Sequence, residues 1–173
     1  MRYLLILLTA FIACSCGNTF YVVRHAEKAP PLAGMSVLEA NNPPLSDSGA
    51  IRANDLKNCL ISENIQHIFS TDFKRTRNTA EPLRQLTNSP LIIYNPKKDS
   101  TAAFIERLKA ITKGNVLVVG HSNTIDDIAN MLTGETVVPG DLKDSEYDNL
   151  YVIKRKGKKF VFKGEKYGAP NPH

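Results

Sequence analysis

The chain has 173 residues, 42% of them hydrophobic, and carries a formal net charge of +5. This length is enough for one α/β domain with a hydrophobic core and excludes two domains of ordinary size. The hydrophobic content, together with ordinary numbers of glycine and proline, is typical of a folded globular protein.

The N-terminal segment differs in composition from the rest of the chain. Arg2 is followed by an apolar run over residues 4–13, and small residues with two cysteines come next. This pattern predicts a secretory signal peptide over residues 1–16, and the apolar run is too short for a mature membrane span.

The cysteines at the end of this segment bear on localisation. Cys14 and Cys16 each follow a small residue, as in the lipobox of bacterial lipoproteins, so either is a candidate for lipidation. Cleavage by ordinary signal peptidase near Gly17 is the alternative. We expect an exported protein, either periplasmic or anchored to a membrane of a bacterial envelope. The remaining Cys59 can form neither an internal disulfide nor a cysteine-based metal site, and we expect it to be buried.

Residues 17–173 are expected to form a single domain in which strands and helices alternate. Apolar runs predict strands at 19–23, 65–69, 91–94 and 115–120. Helical spacing predicts helices at 47–61, 101–112 and 124–132, and another that carries Arg75. A kink or restart is expected where Pro82 falls within that helix. Asp99 or Ser100 is expected to cap the helix after the third strand.

Two segments depart from this alternation. Residues 26–45 contain four prolines and predict a long loop over the end of the sheet, where loops are commonly functional. Residues 149–155 and 159–163 flank Lys156-Gly157-Lys158 and predict a β-hairpin. The whole pattern predicts an α/β fold: a three-layer sandwich whose mostly parallel central sheet is flanked by helices, with the C-terminal hairpin at its edge.

Positive charge is concentrated in the predicted hairpin. Basic residues crowd the stretch from Lys154 to Lys166, and only Glu165 opposes them. We expect a solvated hairpin face, with attraction of anionic lipid, lipopolysaccharide or nucleic acid as the alternative. Aromatic residues do not alternate with these basic residues at the spacing of stacked bases, so nucleic acid is not an expected partner.

Polar residues follow each predicted parallel strand. Arg24 and His25 follow the first, Arg75 the second, Asp99 the third and His121 the fourth. Functional sites of open α/β sheets form at these carboxyl ends. Arginines match the oxygens of a phosphoryl group, and a neutral imidazole can attack phosphorus to form a phosphohistidine. A protonated second histidine would stabilise the transition state, and a carboxylic acid would protonate the leaving alcohol.

Four motifs in chain order resemble the histidine phosphatase superfamily, also called the phosphoglycerate mutase-like superfamily. They are Arg24-His25-Ala26-Glu27-Lys28, Leu45-Ser46-Asp47-Ser48-Gly49-Ala50-Ile51-Arg52-Ala53, Ser70-Thr71-Asp72-Phe73-Lys74-Arg75-Thr76-Arg77-Asn78-Thr79-Ala80, and Val118-Val119-Gly120-His121-Ser122-Asn123. The resemblance implies that His25 is the phosphorylated nucleophile and that Arg24, Arg75 and His121 complete the phosphate pocket. It implies no metal and no other cofactor. Arg77 is then an exposed helix residue.

Two positions depart from the pattern of this family. Ser122 and Asn123 replace the glycine that is common after the second histidine, and either could still face the phosphate. The glutamate motif that many relatives carry after the third strand is absent, which leaves two candidates for the proton donor. Asp99 lies in the corresponding stretch and is preferred. Glu27 lies beside the nucleophile, where its alternative role is a salt bridge within the loop.

The leading hypothesis is an exported, metal-independent phosphomonoester hydrolase. The short chain lacks the extra helices that roof the pockets of larger relatives, so we expect an open site. An open site favours a bulky substrate, such as a phosphorylated glycan, lipid headgroup or phosphoprotein, over a small phosphomonoester. The alternative from another class is a non-catalytic envelope lipoprotein that binds phosphate or other anions.

Overall fold

The computed structural model describes residues 17–171. The signal peptide and lipobox predicted for residues 1–16 lie outside the described residues. No helix within 17–171 is both long enough and apolar enough to span a bilayer.

Strands and helices alternate along the described chain. The strands are β1 (Thr19–Arg24), β2 (Ile65–Ser70), β3 (Leu91–Ile93), β4 (Asn115–Gly120), β5 (Asn149–Lys156) and β6 (Lys159–Lys166). The helices are α1 (Val37–Asn41), α2 (Asp47–Leu60), α3 (Lys74–Thr87), α4 (Lys98–Ala110) and α5 (Ile125–Thr133).

These strands form one six-stranded sheet in the order β3-β2-β4-β1-β5-β6. The first four strands of that order run parallel, while β5 is antiparallel to β1 and β6 is antiparallel to β5. The predicted fold class is therefore confirmed, including the hairpin at the sheet edge. Strand β1 lies between β4 and β5 and is buried along its whole length, as its apolar sequence requires.

Side chains of β1 alternate between two hydrophobic cores. Phe20 and Val22 pack on the side of α4 and α5, whereas Tyr21 and Val23 pack on the side of α2 and α3. This alternation is the period of two of an extended strand. Helices thus cover both faces of the sheet, and the fold has three layers.

The structure corrects four local predictions, two of them only in part. The segment 26–45 contains the short helix α1, which begins with a capping box between Ser36 and Glu39. Helix α3 does not restart at Pro82; the buried Ala80 and Leu83 hold the segment against the core.

The other two concern α4 and Cys59. Helix α4 begins at Lys98 without a side-chain cap, so neither Asp99 nor Ser100 is its cap. Cys59 is exposed, because it lies on the solvent side of α2 between the buried Leu56 and Leu60.

Candidate active site

The parallel pairing of β1 with β4 brings the two predicted site histidines together. Arg24 lies opposite Gly120 in this pairing, so His25 and His121 are the next residues of adjacent strands. The backbone amide of His25 donates to the carbonyl of Gly120 over 2.9 Å. The two imidazole rings meet edge to face, with 5.4 Å between their centroids.

A cavity of about 370 Å³ opens at this point. Its lining includes six of the predicted site residues, namely Arg24, His25, Arg75, His121, Ser122 and Asn123. It also includes Lys28, Phe73, Pro96, Lys97, Thr124 and Asp144. Cationic side chains greatly outnumber the single carboxylate, so the cavity attracts anions. Within residues 17–171, no cluster of three or more His, Cys, Asp or Glu side chains is arranged to hold a metal ion.

The ring of His25 is fixed by a hydrogen bond to its own neighbour. Nδ1 lies 2.7 Å from the carbonyl oxygen of Ala26, and since a carbonyl only accepts, Nδ1 carries the proton. Nε2 of the neutral ring is therefore unprotonated, which is the state a nucleophile requires. Burial lowers the pKa of His25 to about 3, and the positive charges of Arg75 and Arg24 act in the same direction. At neutral pH the ring is neutral.

His121 is held by a chain of hydroxyl groups. Its Nε2 lies 2.9 Å from Oγ1 of Thr71, which in turn lies 3.0 Å from Oγ1 of Thr76. The Thr76 hydroxyl donates to backbone carbonyls, so Thr71 donates to Thr76 and accepts from His121. This assigns a proton to Nε2 of His121 and leaves Nδ1 for a bound anion. Burial, followed by the charges of Arg75 and Arg24, lowers the pKa of His121 to about 4.

Arg24 is held from a distant part of the chain. Its Nη1 donates to the carbonyl oxygens of Lys143, Asp144 and Glu146 over 2.8, 3.2 and 3.1 Å. Its guanidinium also lies over the ring of Tyr147, 4.1 Å from the centroid. Among residues 17–171, Nε of Arg24 has no hydrogen-bond partner although it is buried.

Arg75 reaches the cavity from the first turn of α3. Its guanidinium lies 4.4 Å from the centroid of the Phe73 ring, and its buried Nε also has no partner among the described residues. Burial, and then the charge of Arg24, lowers its pKa. Arg77, by contrast, is exposed, as predicted, and it pairs with Asp72 at 3.2 Å. Arg75 and Arg77 thus have different surroundings although they lie on one helix, and of the two only Arg75 lines the cavity.

Glu27 forms an ion pair that the sequence did not predict. Nε of Arg52 donates to both of its carboxylate oxygens over 2.9 and 3.0 Å, and Nη2 lies 2.7 Å from Oε1. The pairing follows from how α2 docks on the segment after β1. Ser46 donates its backbone amide to the carbonyl of Glu27 over 2.9 Å, and a Cβ atom at Gly49 would overlap that carbonyl. Both Glu27 oxygens are therefore occupied.

Two other carboxylates are considered as proton donors, and only one of them, Asp144, lines the cavity. Asp99 is exposed in the first turn of α4, where its Oδ1 accepts from the Ser100 hydroxyl over 3.2 Å, and it does not line the cavity. Asp144 does line the cavity; it is exposed and lies 3.8 Å from Arg24. Asp144 is the third candidate for the proton donor.

Several residues that shape the site were not identified from the sequence. Thr71 lies inside the motif that runs from Ser70 to Ala80. Its hydroxyl, directly after β2, could have been recognised there as a hydrogen-bonding group of the site. The 143–146 segment contacts Arg24 through backbone carbonyls, and no pattern of side chains in the sequence predicts such contacts. Tyr147 lies beside both Arg24 and His25, with 6.1 Å between its ring centroid and that of His25.

Comparison with known families supports the interpretation of the sequence motifs as those of a histidine phosphatase. Residues 20–95 match the family model of the histidine phosphatase superfamily (branch 1). This confirms the resemblance that the motifs predict and supports phosphatase chemistry. The matched segment contains Arg24, His25 and Arg75, and His121 lies beyond it. A comparison with curated proteins gave no significant match.

Solved structures of phosphatases share the fold. A protein from Agrobacterium tumefaciens assigned as the phosphohistidine phosphatase SixA has 17% identity and a TM-score of 0.64, over 90% of this chain and 99% of that one. The alpha-ribazole phosphatase of Shigella flexneri has 15% identity and a TM-score of 0.67, over 88% and 100%. A mycobacterial glucosyl-3-phosphoglycerate phosphatase has 12% identity and a TM-score of 0.62, over 89% and 100%.

Proposed function

We propose that this protein is a phosphomonoester hydrolase that works through a phosphohistidine on His25. The observation that carries the proposal is a neutral, oriented imidazole beside two arginines whose buried Nε atoms have no partner among residues 17–171. A buried donor without a partner costs free energy, and a phosphate oxygen would satisfy it.

Substrate binding would engage the cationic side of the cavity. Arg24 and Arg75 donate to the phosphoryl oxygens and neutralise the dianion. Ser122 and Asn123 line the same cavity and contribute polar atoms at its rim. The negative charge of the phosphate raises the proton affinity of His121, whose Nδ1 then becomes a donor.

In the first chemical step, the lone pair on Nε2 of His25 attacks phosphorus. The bond from phosphorus to the leaving oxygen breaks as the new P–N bond forms, and the leaving alcohol takes a proton from a carboxylic acid. The ring becomes cationic, and the Ala26 carbonyl, which accepts from Nδ1 over 2.7 Å, stabilises that charge. Protonated His121 stabilises the equatorial oxygens of the transition state.

In the second step, water attacks the phosphohistidine. The carboxylate removes a proton from this water, the P–N bond breaks, and the bonding electrons return to Nε2. Inorganic phosphate leaves and neutral His25 is restored. Asp144 is the carboxylate that lines the cavity, and Asp99 and Glu27 remain the candidates taken from the sequence.

The proposed substrate is a phosphorylated glycan, a lipid headgroup, a phosphoprotein or a smaller phosphomonoester outside the cytoplasm. A broad cationic cavity, with Lys28 and Lys97 beyond the two arginines, supports a substrate with further anionic or polar groups. Export, with an N-terminal lipid anchor at Cys14 or Cys16, belongs to the same proposal.

Turnover of a panel of phosphomonoesters, including an aryl phosphate, tests the proposal. Wild-type protein should release phosphate. When the substrate carries a radiolabelled phosphoryl group, quenching in alkali should trap labelled enzyme. Acid should then release the label, as expected for a P–N bond. His25→Ala should lower kcat/KM by at least about a thousandfold. His67→Ala, which removes a histidine near the amino end of β2, is the matched control and should retain activity. A folded protein that binds phosphate but turns over no panel member would instead support the non-catalytic alternative.

A further inference from the structure

The described chain begins beside the hairpin, at the opposite end of β1 from His25. Gly17 packs so closely on Arg155 that a Cβ atom would overlap the Arg155 carbonyl oxygen. The Arg155 amide donates to the carbonyl of Asn18 over 3.0 Å, and Thr19 pairs with Lys154. Residues 1–16, with their apolar run, therefore join the domain beside the turn of the hairpin.

Exposed lysines crowd this turn. Four of them form what we call the lysine cluster: Lys154, Lys156, Lys158 and Lys159. None forms a salt bridge with a described carboxylate, whereas the neighbouring Lys163 pairs with Glu165 at 2.7 Å. Lys156 and Lys159 are also directly paired across the two strands, where like charges destabilise a hairpin. An anionic partner would offset that repulsion.

A cleft lined by both apolar and polar side chains lies next to the lysine cluster. It has a volume of about 680 Å³ between the end of α5 and strand β6, and Leu132, Phe160 and Phe162 are among its lining residues. Met131 and Val161, which also line it, are 39% and 46% exposed. Lys158 and Lys159 also line it, as do Lys109 and the single carboxylate Glu135. Surfaces that bind lipid interfaces typically combine lysines with exposed apolar side chains. The ammonium groups contact lipid phosphates, and the apolar side chains are removed from water.

We propose that this end of the domain docks on a bilayer that contains anionic phospholipids. Charge complementarity selects the headgroups, and the lipid anchor proposed at Cys14 or Cys16, only a few residues before Gly17, would favour a membrane over a soluble polyanion. Strand β1 has six residues, so His25 would lie roughly 20 Å from the docked surface. The phosphate pocket would face away from that bilayer. This inference does not depend on the proposed catalytic activity.

Sedimentation of the full chain with lipid vesicles tests the inference. One set contains phosphatidylcholine alone, and the other contains equal parts of phosphatidylcholine and phosphatidylglycerol. The measured quantity is the partition coefficient on the anionic vesicles divided by that on the neutral vesicles. Any affinity of residues 1–16 for neutral lipid contributes to both coefficients and therefore cancels in the ratio. Wild-type protein should prefer the anionic vesicles by about tenfold or more at low salt, and added salt should abolish the preference.

The matched variants carry the same change in net charge. Lys158→Glu with Lys159→Glu should reduce the preference about tenfold or more. The new glutamate at position 159 faces Lys156, so the hairpin should remain paired. The control combines Lys74→Glu with Lys98→Glu, two exposed lysines in the first turns of α3 and α4, and should keep the wild-type preference. Far-UV circular dichroism and the urea unfolding midpoint, which require no catalytic activity, serve as the folding check for the first variant.

Three results would overturn the inference. The first is a wild-type ratio near one. The second is an equal fall in both double variants, which would indicate net charge alone. The third is an unchanged vesicle preference in the Lys158 and Lys159 variant while its binding to a DNA duplex is lost, which would make nucleic acid the occupant.

Discussion

Oγ1 of Thr71 lies 2.9 Å from Nε2 of His121, and this contact determines which ring nitrogen is available to a bound phosphate. Thr71 is fully buried, and its own proton is committed to Thr76. It can therefore only accept from His121, which leaves Nδ1 as the nitrogen that gains a proton when an anion binds.

Replacing Thr71 with valine should lower kcat about tenfold, because one buried hydrogen bond that orients the ring is lost. Nitrogen NMR of the ring should also show a mixture of tautomers at His121. Thr71→Ser keeps the hydroxyl and should restore both properties. If Thr71→Val has the wild-type kcat and a single tautomer, the hydroxyl chain does not position His121.

Arg75 and Arg77 of α3 provide a matched pair of variants for testing phosphate binding. Arg75→Ala should lower kcat/KM about a hundredfold, since it removes charge-assisted bonds to the phosphoryl group. Arg77→Ala breaks only an exposed pair with Asp72 and should change kcat/KM by less than about twofold. Steady-state kinetics on one aryl phosphate measures both. Equal losses in the two variants would show that helix α3, rather than the Arg75 guanidinium, is what matters.

The buried histidines should make stability depend on pH. The pKa of His25 is about 3 in the folded protein and 6.5 in a model compound, so the unfolded chain binds more protons between these values. Stability is therefore complete above the unfolded pKa and falls as pH falls. From about pH 7 to pH 5 the loss due to His25 is about 2 kcal/mol. His121, with a pKa of about 4, adds a loss of the same sign.

Urea unfolding at the two pH values measures this loss. His25→Asn should lose about 2 kcal/mol less than wild type on acidification. His121→Asn should show a change in the same direction. Should both variants follow the wild-type pH dependence, the two rings would not be neutral in the folded protein.

Leaving-group dependence should identify the acid among the three carboxylates. Asp144→Asn should slow poor leaving groups, such as alkyl phosphates, far more than aryl phosphates that leave without a proton. Asp99→Asn and Glu27→Gln are compared under the same conditions. A selective loss in either of these, with Asp144→Asn behaving like wild type, would reassign the role.

The pair of Glu27 and Arg52 should contribute mainly to stability. Arg52 is 4% exposed, so Glu27→Gln leaves a buried guanidinium without its counter-charge. The free energy of unfolding should fall by about 3 kcal/mol, measured by urea titration. Folded enzyme should keep its activity on alkyl phosphates, whose leaving group requires the acid. A stable Glu27→Gln variant without turnover would assign Glu27 to the chemistry.

The sheet and the meeting of the two histidines were predictable for a simple physical reason. Buried parallel strands have continuous apolar runs, and residues that follow such strands meet at one edge of the sheet. Arg24, His25 and His121 follow runs of this kind. Their adjacency needed only the fold class and the chain order.

Other parts of the site depend on contacts that sequence patterns do not encode. Arg24 is held by carbonyl oxygens, which every residue possesses, so the 143–146 segment carries no signature. The partner of Glu27 was equally hidden, because Arg52 lies 25 residues away and meets it only after α2 docks. Helix α1 was detectable, however: Ser36 and Glu39 have the spacing of a capping box.

The contacts of Arg24 also determine at which stage of synthesis and folding the phosphate pocket can be complete. Its partners lie 119 to 122 residues later in the chain, so a nascent polypeptide has the nucleophile long before it can hold the arginine. A chain still emerging from the ribosome therefore has no complete pocket. Under the proposed function, hydrolysis would begin only after the C-terminal third has folded.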